Sequence, residues 1–310
     1  MKPEFLKLLP SLEELKKDFK LLENKIAFEN LNDFNSIRDY LPPSVKIYPT
    51  ILLTDSIFET TEFIRLCYPF NEKEKFNPSS IYPILRFANP TKEYCKKFGR
   101  LNLPDNPVFY ASIDDFSGAA KEYRLNHQMK GEFFLGIWNL KKGEIILTEF
   151  FPMAASKNQD VKNFLEPILS NLTLSMNSED EAKMKALNEF HLKEFTLQNP
   201  TNDQNVYKIT SYFGYDILYN WKSKEPSIRT DAIVYPSCIK NNLSSNIAIH
   251  PDTVLNKMEL TEIYRLKFLN SQKLLRFKPL EKGKIANGMV TWEKPNNTDR
   301  FRLKQLIEKT

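Results

Sequence analysis

Glycine is scarce in this chain, with 8 among 310 residues. Turns that need a positive φ must therefore be few, and Pro and Asn carry much of the loop chemistry instead. Cysteine is scarcer still. Cys67, Cys95 and Cys238 are an odd number at wide spacing, so neither a disulfide framework nor a Cys-x-x-Cys metal site is readable and a reducing cytosol is the expected compartment. The three histidines form no recognisable triad, and no Gly-x-Ser-x-Gly elbow occurs, which excludes reading an acyl-transfer serine. No spacing of His, Cys and carboxylates suggests a metal. Apolar runs stay far below the roughly 18 residues that span a bilayer, and the opening ten residues, broken by Lys and Pro, lack the apolar run of a signal peptide. The expectation is a soluble, cytoplasmic protein without a membrane partner.

Aromatic residues are plentiful: 23 Phe and 13 Tyr within a chain that is 41% hydrophobic and 27% charged. That composition supports a folded core. The net charge of +5 suits an anionic ligand. A sequence pI near 8.8 is too mild to indicate nucleic acid. Arg276, Lys278, Lys282, Lys284, Arg300, Arg302 and Lys304 are scattered through the tail and read as a solvated face.

Ser11-Leu-Glu-Glu14 is a capping box, and Leu12, Leu15, Phe19, Leu22 and Ile26 follow at spacings of three and four, so residues 11 to about 30 read as an amphipathic helix. Its apolar face packs on its own domain or serves a homo-oligomer. Pro42, Pro43 and Pro49 surround an apolar run, and residues 56–68 suggest a further short helix. The polar, Pro-bounded segment 71–80 then marks a boundary, giving a mainly helical extension over 1–75 and a main domain over 76–310. Within that domain Ile81–Phe87, Val108–Ser112, Glu132–Trp138, Ile145–Phe150 and Ala232–Tyr235 read as strands, and Ser117–Leu125 as a helix. Residues 158–172, 178–196 (capped by Ser178 with Glu181) and 206–221 form a helical insert. The tail adds strand-like runs at Leu260–Phe268 and Lys273–Phe277 and a helix at Asp299–Lys309. The fold class is α/β in the broad α+β sense: a mixed sheet core with a helical insert and an N-terminal helical extension.

Three strings carry the candidate chemistry. The first is Gly99-Arg-Leu-Asn-Leu-Pro104 followed by Pro107-Val-Phe-Tyr-Ala-Ser112. Here Arg100 lies in a turn able to present a guanidinium to phosphate oxygens in bidentate fashion. The second is Ala119-Ala-Lys-Glu122, on the helix after that strand. The third is Asp231-Ala-Ile-Val-Tyr-Pro-Ser237, leading into Ser245-Asn-Ile-Ala248. Taken singly, each has a bland reading as a surface Arg, a solvated helical Glu or a turn Ser.

In this order the strings resemble the RES-domain family, named for its Arg, Glu and Ser. The resemblance covers residues 80–260, loosely over 140–230. It implies a fold like that of ADP-ribosyltransferases and consumption of NAD at the nicotinamide–ribose bond, by phosphorolysis or hydrolysis. Arg100 then anchors phosphate, Glu122 stabilises the developing ribosyl cation as a carboxylate does in glycoside cleavage, and Ser237 fixes the ribose. Arg86, Tyr110, Tyr235 and Asn246 are the secondary NAD-binding candidates. Arg86 departs from the family's adjacent Tyr-Arg string, because Tyr82 stands four residues away. The kinship also implies phosphate as a co-substrate and a partner antitoxin for a toxin. Protein ADP-ribosylation is the alternative activity. A non-catalytic nucleotide-binding or protein-interaction module is the rival from another class.

Overall fold

The computed structural model describes residues 4–48, 50–54, 58–70, 74–127, 131–151, 159–174, 176–199, 203–221, 228–237, 245–269 and 276–308. In chain order the regular elements are α1 (Glu4–Leu8), α2 (Leu12–Leu21), α3 (Phe34–Tyr40), β1 (Ile51–Thr54), β2 (Phe63–Cys67), β3 (Tyr82–Pro83), β4 (Phe109–Ile113), α4 (Phe116–His127), β5 (Glu132–Leu140), β6 (Leu147–Phe150), α5 (Gln159–Leu174), α6 (Ser178–Thr196), α7 (Lys208–Leu218), β7 (Ala232–Pro236), β8 (Ser245–Ile249), α8 (Pro251–Lys257), β9 (Met258–Leu269), β10 (Arg276–Ala286), β11 (Met289–Glu293) and α9 (Asn297–Glu308). The chain is thus mixed α/β. No helix among the described residues is long and apolar enough to cross a membrane.

The strands form one mixed sheet in the order β1-β6-β7-β8-β4-β2-β5-β9-β10-β11-β3. All neighbouring strands are antiparallel except β6 and β7. Side chains alternate between its two faces. Every strand lends residues to one inner cluster, which includes Leu53, Phe63, Phe109, Trp138, Phe150, Val234, Ile247, Ile263 and Val290, with Ile285 packed against it. The sheet is therefore curled around a shared interior. Two separate helical covers lie on its outer face. One joins Leu22, Phe28, Ile37, Phe195 and Phe213 to Ile233 and Ala248. The other joins Phe116, Ala120 and Tyr123 of α4 and Leu303 and Leu306 of α9 to Ile64, Leu135 and Leu266.

Several sequence expectations need correction. Residues 1–75 are rich in helix, as expected, but they also share the sheet of the main domain: β1 pairs with β6, and β2 lies between β4 and β5 near the middle of the sheet. The helix expected over 56–68 is β2 from Phe63 onward, because a strand buried on both faces shows a continuous apolar run rather than alternation. Segment 71–80 accordingly separates strands of one sheet. The expected strand Ile81–Phe87 shrinks to Tyr82–Pro83 and continues as a 3₁₀ turn, since Pro83 has no N–H for a ladder. The helix expected to reach residue 30 stops at Leu21, and Asn24 starts a separate 3₁₀ turn by accepting from the Ile26 N–H at 3.2 Å. Another 3₁₀ turn, Gln204–Tyr207, replaces the start of the third insert helix. Asn177, not Ser178, caps α6, its Oδ1 accepting from the Asp180 N–H at 2.8 Å. The tail holds three strands, closed by a hairpin whose turn residues Asn287 and Gly288 have φ of 50° and 73°. Residues 273–275 of the second expected run lie outside the described residues.

Candidate functional site

Three adjacent strands bring the sequence strings together. Ser112 on β4 stands opposite Asn246 on β8, which stands opposite Tyr235 on β7. All three project from the outer face, as does Tyr110 two residues before Ser112. The Ser112 hydroxyl donates to Asn246 Oδ1 at 2.9 Å, and both residues are buried. This polar row falls between the two helical covers. Ser237 follows β7 directly and is buried at 4% exposure. Residues 238–244, the polar loop expected after it, lie outside the described residues.

The junction of β4 and β2 is unusually short. Only Phe63–Ile113 and Ile64–Ser112 pair there, whereas β2 and β5 pair from Phe63 to Cys67. Beyond Ile64 the two strands fork. At that point Arg65 Nη1 donates to the Tyr110 carbonyl at 2.8 Å and Arg65 Nε to the Phe87 carbonyl at 3.3 Å, with the guanidinium 5.1 Å from the Phe109 ring centre. Burial lowers its pKa, yet a guanidinium stays charged in proteins. No carboxylate among the described residues pairs with it. Its cross-strand partner is Gly136, where the Trp138 ring fills the space a Cβ would take, so Arg65 rises on the inner face with Phe63 and Cys67, opposite to the polar row. Sequence reasoning missed Arg65; the available signal was a single charge inside the apolar run Phe63-Ile-Arg-Leu-Cys67.

The helix carrying Glu122 packs across this fork. Asp115 Oδ1 accepts from the Gly118 N–H at 2.8 Å in the first turn of α4. Phe116, Ala119, Ala120 and Tyr123 then face the sheet, contacting both β2 and β4. The small alanines allow that close approach. Glu122 sits in this helix, and its side chain lies outside the described residues.

The loop of Arg100 is built from inside. The Tyr110 hydroxyl accepts from the Leu101 N–H at 2.8 Å and donates to Asn102 Oδ1 at 2.9 Å. Asn102 Nδ2 in turn reaches the carbonyls of Lys97 and Leu103, each at 3.2 Å. Ser211 Oγ donates to the Gly99 carbonyl at 2.8 Å. On the neighbouring turn of α7, a Cβ at Gly214 would collide with the Leu101 carbonyl. Burial pushes the Tyr110 phenol far above its ordinary pKa, so it remains a neutral donor and acceptor. Arg100 itself turns to the end of α6, donating to the Phe195 carbonyl and, at 3.1 Å, to the Leu197 carbonyl, with Tyr207 stacked at 5.1 Å. A cation at a helix C-terminus satisfies carbonyls that the helix leaves unpaired.

Arg86 is placed apart from the row. It pairs with Glu74, donates to the Pro69 carbonyl at 3.3 Å and stacks on Phe70 at 4.5 Å on the inner side of the sheet. Another polar centre lies at the β7–β8 end. Asp231 accepts from Thr253 Oγ1 at 2.6 Å, Lys257 Nζ at 2.9 Å and the Leu147 N–H at 3.0 Å. Burial would raise its pKa, but these bonds outweigh it and the carboxyl is held low. His250 caps α8 by accepting from the Asp252 N–H at 3.2 Å. Burial first, and Arg229 second, lower its pKa to about 4.

Compared with family models, with curated proteins and with solved structures, the chain matches none.

Proposed function

We propose that this chain cleaves NAD at the nicotinamide–ribose bond, with the ligand lying at the fork between β4 and β2. The observation that carries the reading is the registered row Tyr110, Ser112–Asn246 and Tyr235 on the outer face, with the Glu122 helix packed across the same junction. The residue types meet what the bond cleavage demands. The Arg100 cation favours the pyrophosphate, Ser237 and Asn246 supply hydrogen bonds to ribose hydroxyls, and the Glu122 carboxylate stabilises the oxocarbenium-like charge that develops as nicotinamide leaves with the bonding electron pair. Capture of the ribosyl cation by phosphate gives phosphorolysis and capture by water gives hydrolysis. A protein side chain as acceptor would make the chain an ADP-ribosyltransferase. The resemblance of the three strings to RES domains adds to this reading, and a toxin held by an antitoxin is its corollary.

A second reading, nucleotide binding without turnover, is favoured by one observation: Arg100 spends hydrogen bonds on the carbonyls closing α6. Measuring nicotinamide released from NAD by the purified chain, with and without phosphate, separates the readings. Release accelerated by phosphate identifies phosphorolysis, and release indifferent to it identifies hydrolysis. NAD binding without release favours the second reading, and absence of binding overturns both.

A further inference from the structure

In the same outer layer as α4, whose Phe116 packs on Phe277, α9 and the β9–β10 pair enclose a pocket of about 300 Å³. Its floor comes from Leu266, Phe277 and Pro279, and α9 adds Leu303 and Ile307. A break in the ladder accounts for the opening. The register of β10 against β9 shifts between Pro279 and Glu281, so Leu280 is an extra residue there. Pro279 also lacks the N–H that would draw the strand inward.

The mouth of this apolar cup is charged. Arg300, Lys304 and Glu308 line it at successive turns of α9. Lys304 lies 3.7 Å from Glu308, so those two offset one another. Arg300 is exposed and makes no ion pair among the described residues. It also occupies the first turn of α9, where the helix dipole disfavours a cation. The acid nearest in sequence, Asp299, is engaged by Lys282 and by the Asn296 N–H at 2.9 Å. The pocket therefore presents a greasy, mainly aliphatic interior beneath one uncompensated guanidinium, at the small end of the volumes used for ligands.

We propose that this pocket binds a small carboxylate with an unbranched apolar tail, of octanoate's size, its tail on Leu266, Leu303 and Ile307 and its carboxylate on Arg300. The site is independent of the NAD reading. Calorimetric titration of the full chain with octanoate, and with octylammonium as the charge-reversed probe, tests it. Octanoate should bind and octylammonium should not. Arg300→Ala should weaken octanoate about tenfold, the scale of one charge-assisted hydrogen bond, and Ile307→Trp should block the cup. Both variants should keep the wild-type melting temperature and nicotinamide release. Failure of octanoate to bind the wild type, equal binding of both probes, or equal binding of octanoate to the wild type and both folded variants would overturn the proposal.

Discussion

Tyr110 shows how much a single hydroxyl organises. It satisfies the Leu101 N–H and the Asn102 amide oxygen together, so Tyr110→Phe leaves two buried groups without that partner. The expected cost is about 1–3 kcal/mol of stability, read from urea denaturation, and an unchanged midpoint would contradict it. His191 sets a pH dependence. Its ring lies fully buried in α6, and because the Leu187 carbonyl 2.9 Å away can only accept, Nδ1 carries the proton. Burial lowers its pKa to about 4, against about 6.5 in the unfolded chain. The unfolded state binds the proton more readily, so the stability from neutral His191 is complete above pH 6.5 and is lost as pH falls to about 4. The loss is on the order of 3 kcal/mol. His250 acts in the same direction. His191→Leu should flatten the stability profile across that window, and an equally steep profile would refute the assignment. Legibility at this scale was partial. Tyr110, Tyr235 and Asn246 could be singled out from their strings. Arg65 and the bonds from Arg100 to α6 could not, because partners 22 or more positions away in sequence define both.

Elements written in local code were readable. The helix α4 and strands β4, β5, β6 and β7 lie within a few residues of expectation because their apolar runs are bounded by Pro, Asp or polar turns. The β2 strand misled for the opposite reason: burial on both faces erased its alternation. The Asn287-Gly288 hairpin was legible and overlooked, since that dipeptide between alternating strands favours the positive φ values the turn adopts. Packing between elements is less visible. Lys25, just after α2, donates to both oxygens of Glu194 on α6, at 2.8 and 2.7 Å, with Glu194 only 2% exposed. Burial lowers the lysine's pKa and raises the glutamate's, while their mutual attraction opposes both shifts. Lys25→Met strands the carboxylate and should cost about 3–5 kcal/mol. Adding Glu194→Gln should restore part of that loss in the same denaturation experiment. A single variant as stable as wild type would show that the pair does not hold α6 to the N-terminal segment.

The whole molecule is one curled sheet whose two parts meet at the short β4–β2 junction; composition alone announced only a folded core, and the succession of apolar runs its mixed α/β character. Because β2 from the first 75 residues sits at that junction, a chain beginning at residue 76 should show no cooperative melt; a sharp transition would restore the boundary expected from sequence. The same junction locates the proposed chemistry. The most direct test compares wild type with Glu122→Gln for nicotinamide released from NAD under identical conditions. The expected result is release by wild type and a loss of about a hundredfold or more in the variant, as for removal of one preorganised electrostatic group, with the melting temperature unchanged. Equal release by the two proteins would contradict cleavage assisted by Glu122.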